Sequence, residues 1–331
     1  MILAGDIGGT KVNLAAFEVR EGRLVQLATE TFPSREHSSL EEIAGGFLAK
    51  NRITVRYASF GIAGPVKNGR SLLTNLRWTI DARNVSQVLG GAKVWLMNDL
   101  QATAHGIATL PAGDFLTLNE GQPVPDGNWA IIAAGTGLGE AGMVWSGARQ
   151  VSVGSEGGNT DFSPRTELDI ELLRYLQKQF GEAIWEYVLS GQGLYNIYKF
   201  LWDSGRGDEP AWLAEEVRRD EKAAPAVISR NALEQKSPLC EAALDLFVGY
   251  YGAETMNLAL KLLATGGVFI GGGIAPKIAA KLQDGTFMRA FLGEHRYREL
   301  LEAMPVKIIL NDKAALLGAA RFAALEAGMP A

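Results

Sequence analysis

Four glycine-rich turns, each directly after an apolar run, set the main constraint on how this chain can fold: Gly8-Gly9, Gly64-Pro65, Gly135 to Gly139, and Gly271 to Gly273. Glycine permits positive φ and lets backbone N–H groups approach an anion, so such turns are candidate phosphate cradles. Taken singly, each reads first as a tight turn with no ligand; four in one chain, two of them in hairpins, shift the balance towards a ligand. Ile2-Leu3-Ala4 leads through Gly5-Asp6-Ile7 into Gly8-Gly9-Thr10, and alternation resumes at Val12, Leu14 and Ala16. Residues 129–134, the turn Gly135-Thr136-Gly137-Leu138-Gly139 and then Met143-Val144-Trp145 repeat that arrangement. Apolar period two on both sides of a glycine turn predicts a β-hairpin. The 331 residues leave room for two domains, so two hairpin-plus-glycine-loop units are expected.

Between the hairpins, strands are expected over 57–62 and 93–97, the second running into Asn98-Asp99 and a helix towards Ile107. Strands alternating with helices predict an α/β lobe with a largely buried sheet. The second half reads as helix-rich. Thr166 and Asp169 form a capping-box pattern ahead of an apolar face of Leu168, Leu172, Tyr175 and Leu176. The mixed charges of 203–222 read as a solvated helix face. A long helix is expected over 238–263, then a strand at 268–270, a strand at 306–310 and a last helix with Leu316, Leu317, Ala320 and Ala324 on one face.

Several function classes are disfavoured. A net charge of −5 without clustered Lys and Arg argues against a nucleic-acid partner. The single cysteine, Cys240, forbids an internal disulfide and a Cys-rich zinc site, and its apolar helical setting reads as core. Met1 to Asp6 has no secretory pattern, and the apolar stretch 258–276 is too glycine-dense to span a membrane, so a cytoplasmic protein with no membrane partner is expected. Gly137-Leu138-Gly139-Glu140-Ala141-Gly142 matches a dinucleotide fingerprint, but that motif needs a helix to follow and the pattern here predicts a strand. The Gly-Lys-Ser/Thr ending of a P-loop is absent.

Carboxylates stand at strand ends or beside the glycine turns: Asp6, Asp99, Glu156 and Asp161, with Glu186 before Ser190-Gly191. Carboxylates and amides converging on one site suit a ligand rich in hydroxyl groups. Asp99 reads as a base or as the cap of the following helix, and Glu186 as a ligand or as a surface residue. Lys11 reads as a phosphate contact or as a solvated side chain.

Asp6-Ile7-Gly8-Gly9-Thr10, Gly64-Pro65, Asn98-Asp99, Gly135 to Gly139, Glu156-Gly157-Gly158, Leu189-Ser190-Gly191 and Gly271-Gly272-Gly273 together resemble the bacterial ATP-dependent glucokinase family of the actin-like ATPase superfamily. The resemblance implies an α/β, two-lobed actin-like ATPase (ribonuclease H-like) sugar kinase fold with a ligand cleft between lobes: a small lobe of 1–109 plus 311–331 and a large one of 110–310. It implies phosphorylation of D-glucose at the 6-hydroxyl by Mg-ATP, giving glucose 6-phosphate and ADP at the opening of glycolysis, in a homodimer. By the same analogy Asp6 would act on Mg²⁺ through water, and Gly8, Gly9, Thr10, Gly135, Thr136 and Gly137 would hold the phosphates. Gly271, Gly272 and Gly273 would lie by the adenosine. Asn98, Asp99, Glu156, Asn159 and Glu186 would hold the hexose, with Asp99 also taking the proton from the 6-hydroxyl.

One departure concerns hexose preference: the family carries His where this chain has Asn159, a shorter side chain that is never cationic. The lone cysteine also separates the chain from the Cys-rich zinc motif of ROK kinases and repressors. The competing readings are a kinase preferring another hexose, a non-catalytic sugar or nucleotide sensor on the same fold, and a filament-forming ATPase.

Overall fold

The computed structural model describes residues 1–73, 76–147, 149–294 and 296–330. Contacts divide the chain into two compact units, one of 1–114, 152–154 and 311–331, the other of 115–151 and 155–310.

The first unit is built on strands β1 (Ile2–Ile7), β2 (Lys11–Arg20), β3 (Arg23–Pro33), β4 (Tyr57–Ile62) and, after the small hairpin of β5 (Arg70–Leu73) and β6 (Trp78–Asp81), β7 (Lys93–Asn98). The large sheet runs β3-β2-β1-β4-β7. β1 is antiparallel to β2 and parallel to β4, which is parallel to β7. Buried on both faces, β1 and β4 are near-continuous apolar runs, as parallel strands are. One face packs on α1 (Leu40–Asn51) and α2 (Ala82–Val88) through Leu3, Leu14, Phe47, Phe60 and Val85. The other packs through Ala4, Ala15, Met97 and Ala102 on α3 (Asp99–Ile107) and the C-terminal helix Ala314–Glu326.

Those last two helices meet backbone to backbone. A side-chain carbon on Gly106 would run into the carbonyl of Ala314, and one on Gly318 into the carbonyl of Ala102. Small residues are what allow the approach, and it anchors α3.

The second unit repeats the plan. Its sheet of β8 (Phe115–Asn119), β9 (Trp129–Ala134), β10 (Leu138–Ser146), β11 (Arg149–Ser155), β12 (Gly267–Gly271) and β13 (Val306–Ile309) runs β11-β10-β9-β12-β13-β8. The antiparallel β9–β10 hairpin and the parallel β12 and β13 follow the order of the first unit, with β8 added antiparallel at the edge. Helices α4 (Glu167–Phe180), α5 (Gly191–Asp203), α6 (Ala211–Arg219), α7 (Ala224–Leu233) and α8 (Pro238–Leu262) supply most of its cover. Thr166 and Asp169 close the expected capping box. In α6 the charged residues stay out while Leu213 and Val217 turn inward. Within α8 Cys240 is buried, and burial pushes its thiol up to about 11.

The strand β10 runs through the Gly137 to Gly142 pattern from Leu138 onward, so the dinucleotide motif has no helix to complete it. Among the described residues no helix is long and apolar enough to cross a membrane.

Candidate functional site

In the first unit β1, β4 and β7 run parallel and end together, and ligands of open α/β sheets sit outside such carboxyl ends. Asp6 lies opposite Gly61, and Ile62 opposite Asn98. With neighbouring strands spaced ~4.8 Å, Asp6 and Asn98 stand about two strands apart, roughly 10 Å. Gly8-Gly9-Thr10 closes the β1–β2 turn through Gly8 N donating to Lys11 O at 3.0 Å, and Ser34 Oγ donates to Gly8 O at 2.8 Å. A cavity of about 600 Å³ opens beside Gly9, Gly64 and Pro65, with Lys67, Ser71 and Leu73 of the small hairpin region on its wall.

Asp6 is oriented by a relay that sequence reasoning missed. Asn13, directly opposite in the hairpin register, donates through Nδ2 to Asp6 Oδ2 at 3.2 Å. Thr31 Oγ1 donates to Asn13 Oδ1 at 2.8 Å, which fixes which way the amide faces. The signal was available: counting outward from the glycine turn pairs Ile7 with Val12 and Asp6 with Asn13. Burial raises the Asp6 pKa, opposed by the Asn13 hydrogen bond and by Lys11, while Asp312 pushes the same way as burial.

Those features suit a hydrated Mg²⁺, which is usually held by one or two carboxylates and keeps several waters. Among the described residues no group of three His, Cys, Asp or Glu could hold a metal by itself. Lys11 is exposed and acts on Asp6 through its charge.

Asn98, not Asp99, caps α3. Asn98 Oδ1 accepts from Leu100 N at 2.9 Å, and Asn98 Nδ2 donates to Gly64 O at 3.3 Å, tying the helix start to the Gly64-Pro65 turn. Asp99 is the first helical residue, and its Oδ1 also accepts from Leu100 N, at 2.9 Å. Gly61 lets β4 pass this corner closely: a side-chain carbon there would be 3.5 Å from the Asp99 Cα and would press on Ala102.

The second unit gathers the other candidates. Gly135 N donates to Gly137 O at 2.9 Å, and Gly191 N, at the start of α5, donates to Gly135 O at 2.8 Å. Glu186 holds this loop, with Oε2 accepting from Leu138 N at 2.9 Å, which removes the surface-residue reading. Its carboxylate lies where a side chain on Gly137 would have to go. Gly272, at φ +83°, packs under the carbonyl of Ala134, so the Gly271 to Gly273 turn abuts the end of β9. Tyr251 OH accepts from Ala134 N at 3.1 Å and faces Gly271 O at 3.4 Å, joining the two strand ends.

Glu156 opens a short turn, Gly157–Asn159, in which Asn159 Nδ2 faces Glu156 Oε2 at 3.5 Å. Trp185 N donates to Thr160 O at 3.0 Å, and Asp161 bridges Ile184, so the Glu156 and Glu186 segments are stitched to each other. Asp161 itself is exposed.

Positive φ turns out to matter at only two of the singled-out turns, Gly64 at +151° and Gly272 at +83°. At Gly137 and Gly158 the requirement is close approach: Gly158 lies under Leu138 O.

Beneath the Gly157–Asn159 turn lies a buried acid pair the sequence did not reveal. The Glu140 carboxyl, on β10, fills the space a side chain on Gly157 would take. It neighbours the Glu254 carboxyl of α8, which accepts from Asn257 Nδ2 at 2.7 Å and has Lys261 Nζ at 3.7 Å. Burial first, then the neighbouring Glu254 charge, push Glu140 up to about 8, and burial raises Glu254 as well. Two buried carboxyls in contact cannot both be ionised cheaply, so the pair keeps a proton at neutral pH.

A family model described as Glucokinase matches residues 3–326. The glucokinase of Nostoc sp. (strain PCC 7120) is 40% identical over 338 residues, covering 98% of this chain and 99% of that protein. That of Yersinia pestis (strain Pestoides F) is 34% identical over 320 residues, covering 97% and 95%. Among solved structures, a glucokinase from an Antarctic psychrotroph aligns with a TM-score of 0.84 at 30% identity, over 97% of this chain and 98% of that one. A ROK family glucokinase from Streptomyces griseus, in complex with glucose and AMPPNP, aligns at 0.64 and 23% identity over 98% and 99%, a likeness of fold alone. The fold is the α/β actin-like ATPase fold of sugar kinases.

Proposed function

The chain belongs to the glucokinase family, and from that premise we propose that it phosphorylates the 6-hydroxyl of D-glucose with ATP, giving glucose 6-phosphate and ADP. The observation that carries this reading is the placement of Asp6, the Gly8-Gly9-Thr10 turn and Asp99 at the shared carboxyl ends of β1, β4 and β7. Phosphoryl transfer passes through a loose transition state, so the protein's task is to position the reactants and stabilise charge. Backbone amides of Gly8, Gly9, Thr10, Gly135, Thr136 and Gly137 bind the phosphates, and Gly271 to Gly273 border the adenosine. Asp6 would hold magnesium through water, and the ion would supply positive charge against the phosphate oxygens.

Asn98, Asp99, Glu156, Asn159 and Glu186 accept and donate hydrogen bonds to the sugar hydroxyls. Asp99 takes the proton of the 6-hydroxyl as its oxygen bonds to phosphorus. A carboxylate of ordinary basicity is enough, because the proton leaves late. Glu186 has one oxygen committed to Leu138 N, so it can couple the sugar to the glycine loop.

Asn159, in place of the family's His, motivates a second reading with another preferred hexose. An ADP-release assay across glucose, mannose, fructose and glucosamine, on this protein and on Asn159→His, tests both. Glucose is expected to give the highest kcat/KM, and Asn159→His to lower the glucose KM. Ligand binding without hexose-dependent ADP would leave a sensor. The same reading makes the protein a cytoplasmic homodimer, and sedimentation equilibrium checks the dimer.

A further inference from the structure

The Asn98–Asp99 corner rests on a side chain that the proposed reaction leaves unused. Gln101 sits in the first turn of α3, where its Oε1 accepts from Asn98 N at 3.3 Å and completes the capping box. The other end of the same amide points away from the cap. Its Nε2 donates to Ser152 O at 3.2 Å and lies 3.4 Å from Ser152 Oγ. Ser152 lies on β11, four residues before Glu156, and the segment 152–154 groups with the first unit while the rest of β11 groups with the second.

Two further contacts hold that segment. Gly154 packs on the Gln101 amide so closely that a side-chain carbon would sit 3.2 Å from Cδ. His105, one turn along α3, brings Nε2 to 3.2 Å from Ser152 Oγ. Burial, with Arg321 adding to it, pushes His105 down to about 4, so the ring is neutral at pH 7.

We propose that Gln101 is a positioning residue for the transfer: one amide sets the cap that presents Asp99 and holds the Ser152 segment that leads to Glu156. The inference rests on the hexose kinase reading above. A capping box needs only an acceptor at this position, which Glu supplies as well as Gln. Ser152 O needs a donor, which Glu lacks. Gln is the residue that serves both, and its two roles can be separated by one substitution.

The test measures kcat and KM for glucose and for ATP, with melting temperature, on wild type, Gln101→Glu and Gln101→Leu. Gln101→Glu keeps the cap and sets a carboxylate against Ser152 O; Gln101→Leu loses both bonds. Small displacements of a reacting group cost on the order of 10²-fold. Both variants are therefore expected to lose about 10- to 100-fold in kcat/KM for glucose, with the ATP KM within about twofold and the Gln101→Glu melting temperature near wild type.

Folded variants with wild-type glucose constants would overturn the proposal, as would equal losses for glucose and ATP tracking a lowered melting temperature. If Gln101→Leu does not fold, Gln101→Glu decides alone. Wild type lacking hexose-dependent ADP formation would sink the kinase reading and this inference with it, whereas an active wild type with unaffected variants sinks only the inference.

Discussion

Replacing Glu140 by Gln should make the protein more stable at pH 8 than wild type, although it deletes a buried acid. In the folded chain the Glu140 proton is held to about pH 8, against 4.5 for an exposed glutamate. A group whose folded pKa is raised binds more protons folded than unfolded within that window, so its contribution to stability is full below pH 4.5 and is lost as pH climbs to 8. Each pH unit of the window is worth about 1.4 kcal/mol, which sets a ceiling near ~5 kcal/mol by pH 8. Gln copies the protonated acid, since its amide can donate to Glu254 and fill the same space against Gly157. Melting curves of both proteins at pH 5, 6.5 and 8 make the measurement. The difference between Glu140→Gln and wild type is expected to be small at pH 5 and to grow in favour of the variant to at least ~2 kcal/mol by pH 8. A difference independent of pH, or a variant less stable than wild type at pH 8, would refute the shared-proton account.

Gly106→Ala, which presses a methyl group into the backbone of Ala314, should destabilise the protein by about 1–3 kcal/mol, an overpacking cost, read from the melting temperature. Cys240, buried with its thiol held well up from its usual range, should react with a thiol reagent at neutral pH only when denaturant opens the fold. Equal labelling rates in native buffer and in denaturant would contradict its burial.

Much of the fold was legible because the hairpins advertise themselves. Alternation on both sides of Gly8-Gly9 and of Gly135 to Gly139 fixes two antiparallel pairs, and the apolar runs of β4 and β12 follow from burial on both faces. The support of the candidate residues was harder to see. Asn13 and Thr31 act only through the register of three strands. Glu140 and Glu254 lie 114 positions apart in sequence and meet only after folding. Gly106 and Gly318 read as helix-weakening residues until two helices touch at them. The alternative in which Asp99 caps α3 gives way to Asn98 for a local reason. Asn and Asp are both good caps, and sequence alone does not say which of two neighbours takes extended φ and ψ.

The most direct test of the central claim is hexose-dependent ADP formation by Asp99→Asn. The amide keeps the size of the side chain and can still bond a hydroxyl, but it cannot take a proton from the 6-hydroxyl. kcat for glucose is expected to fall on the order of 10²–10⁴-fold, the usual contribution of a general base, while glucose still binds. Wild-type turnover by Asp99→Asn would contradict the account.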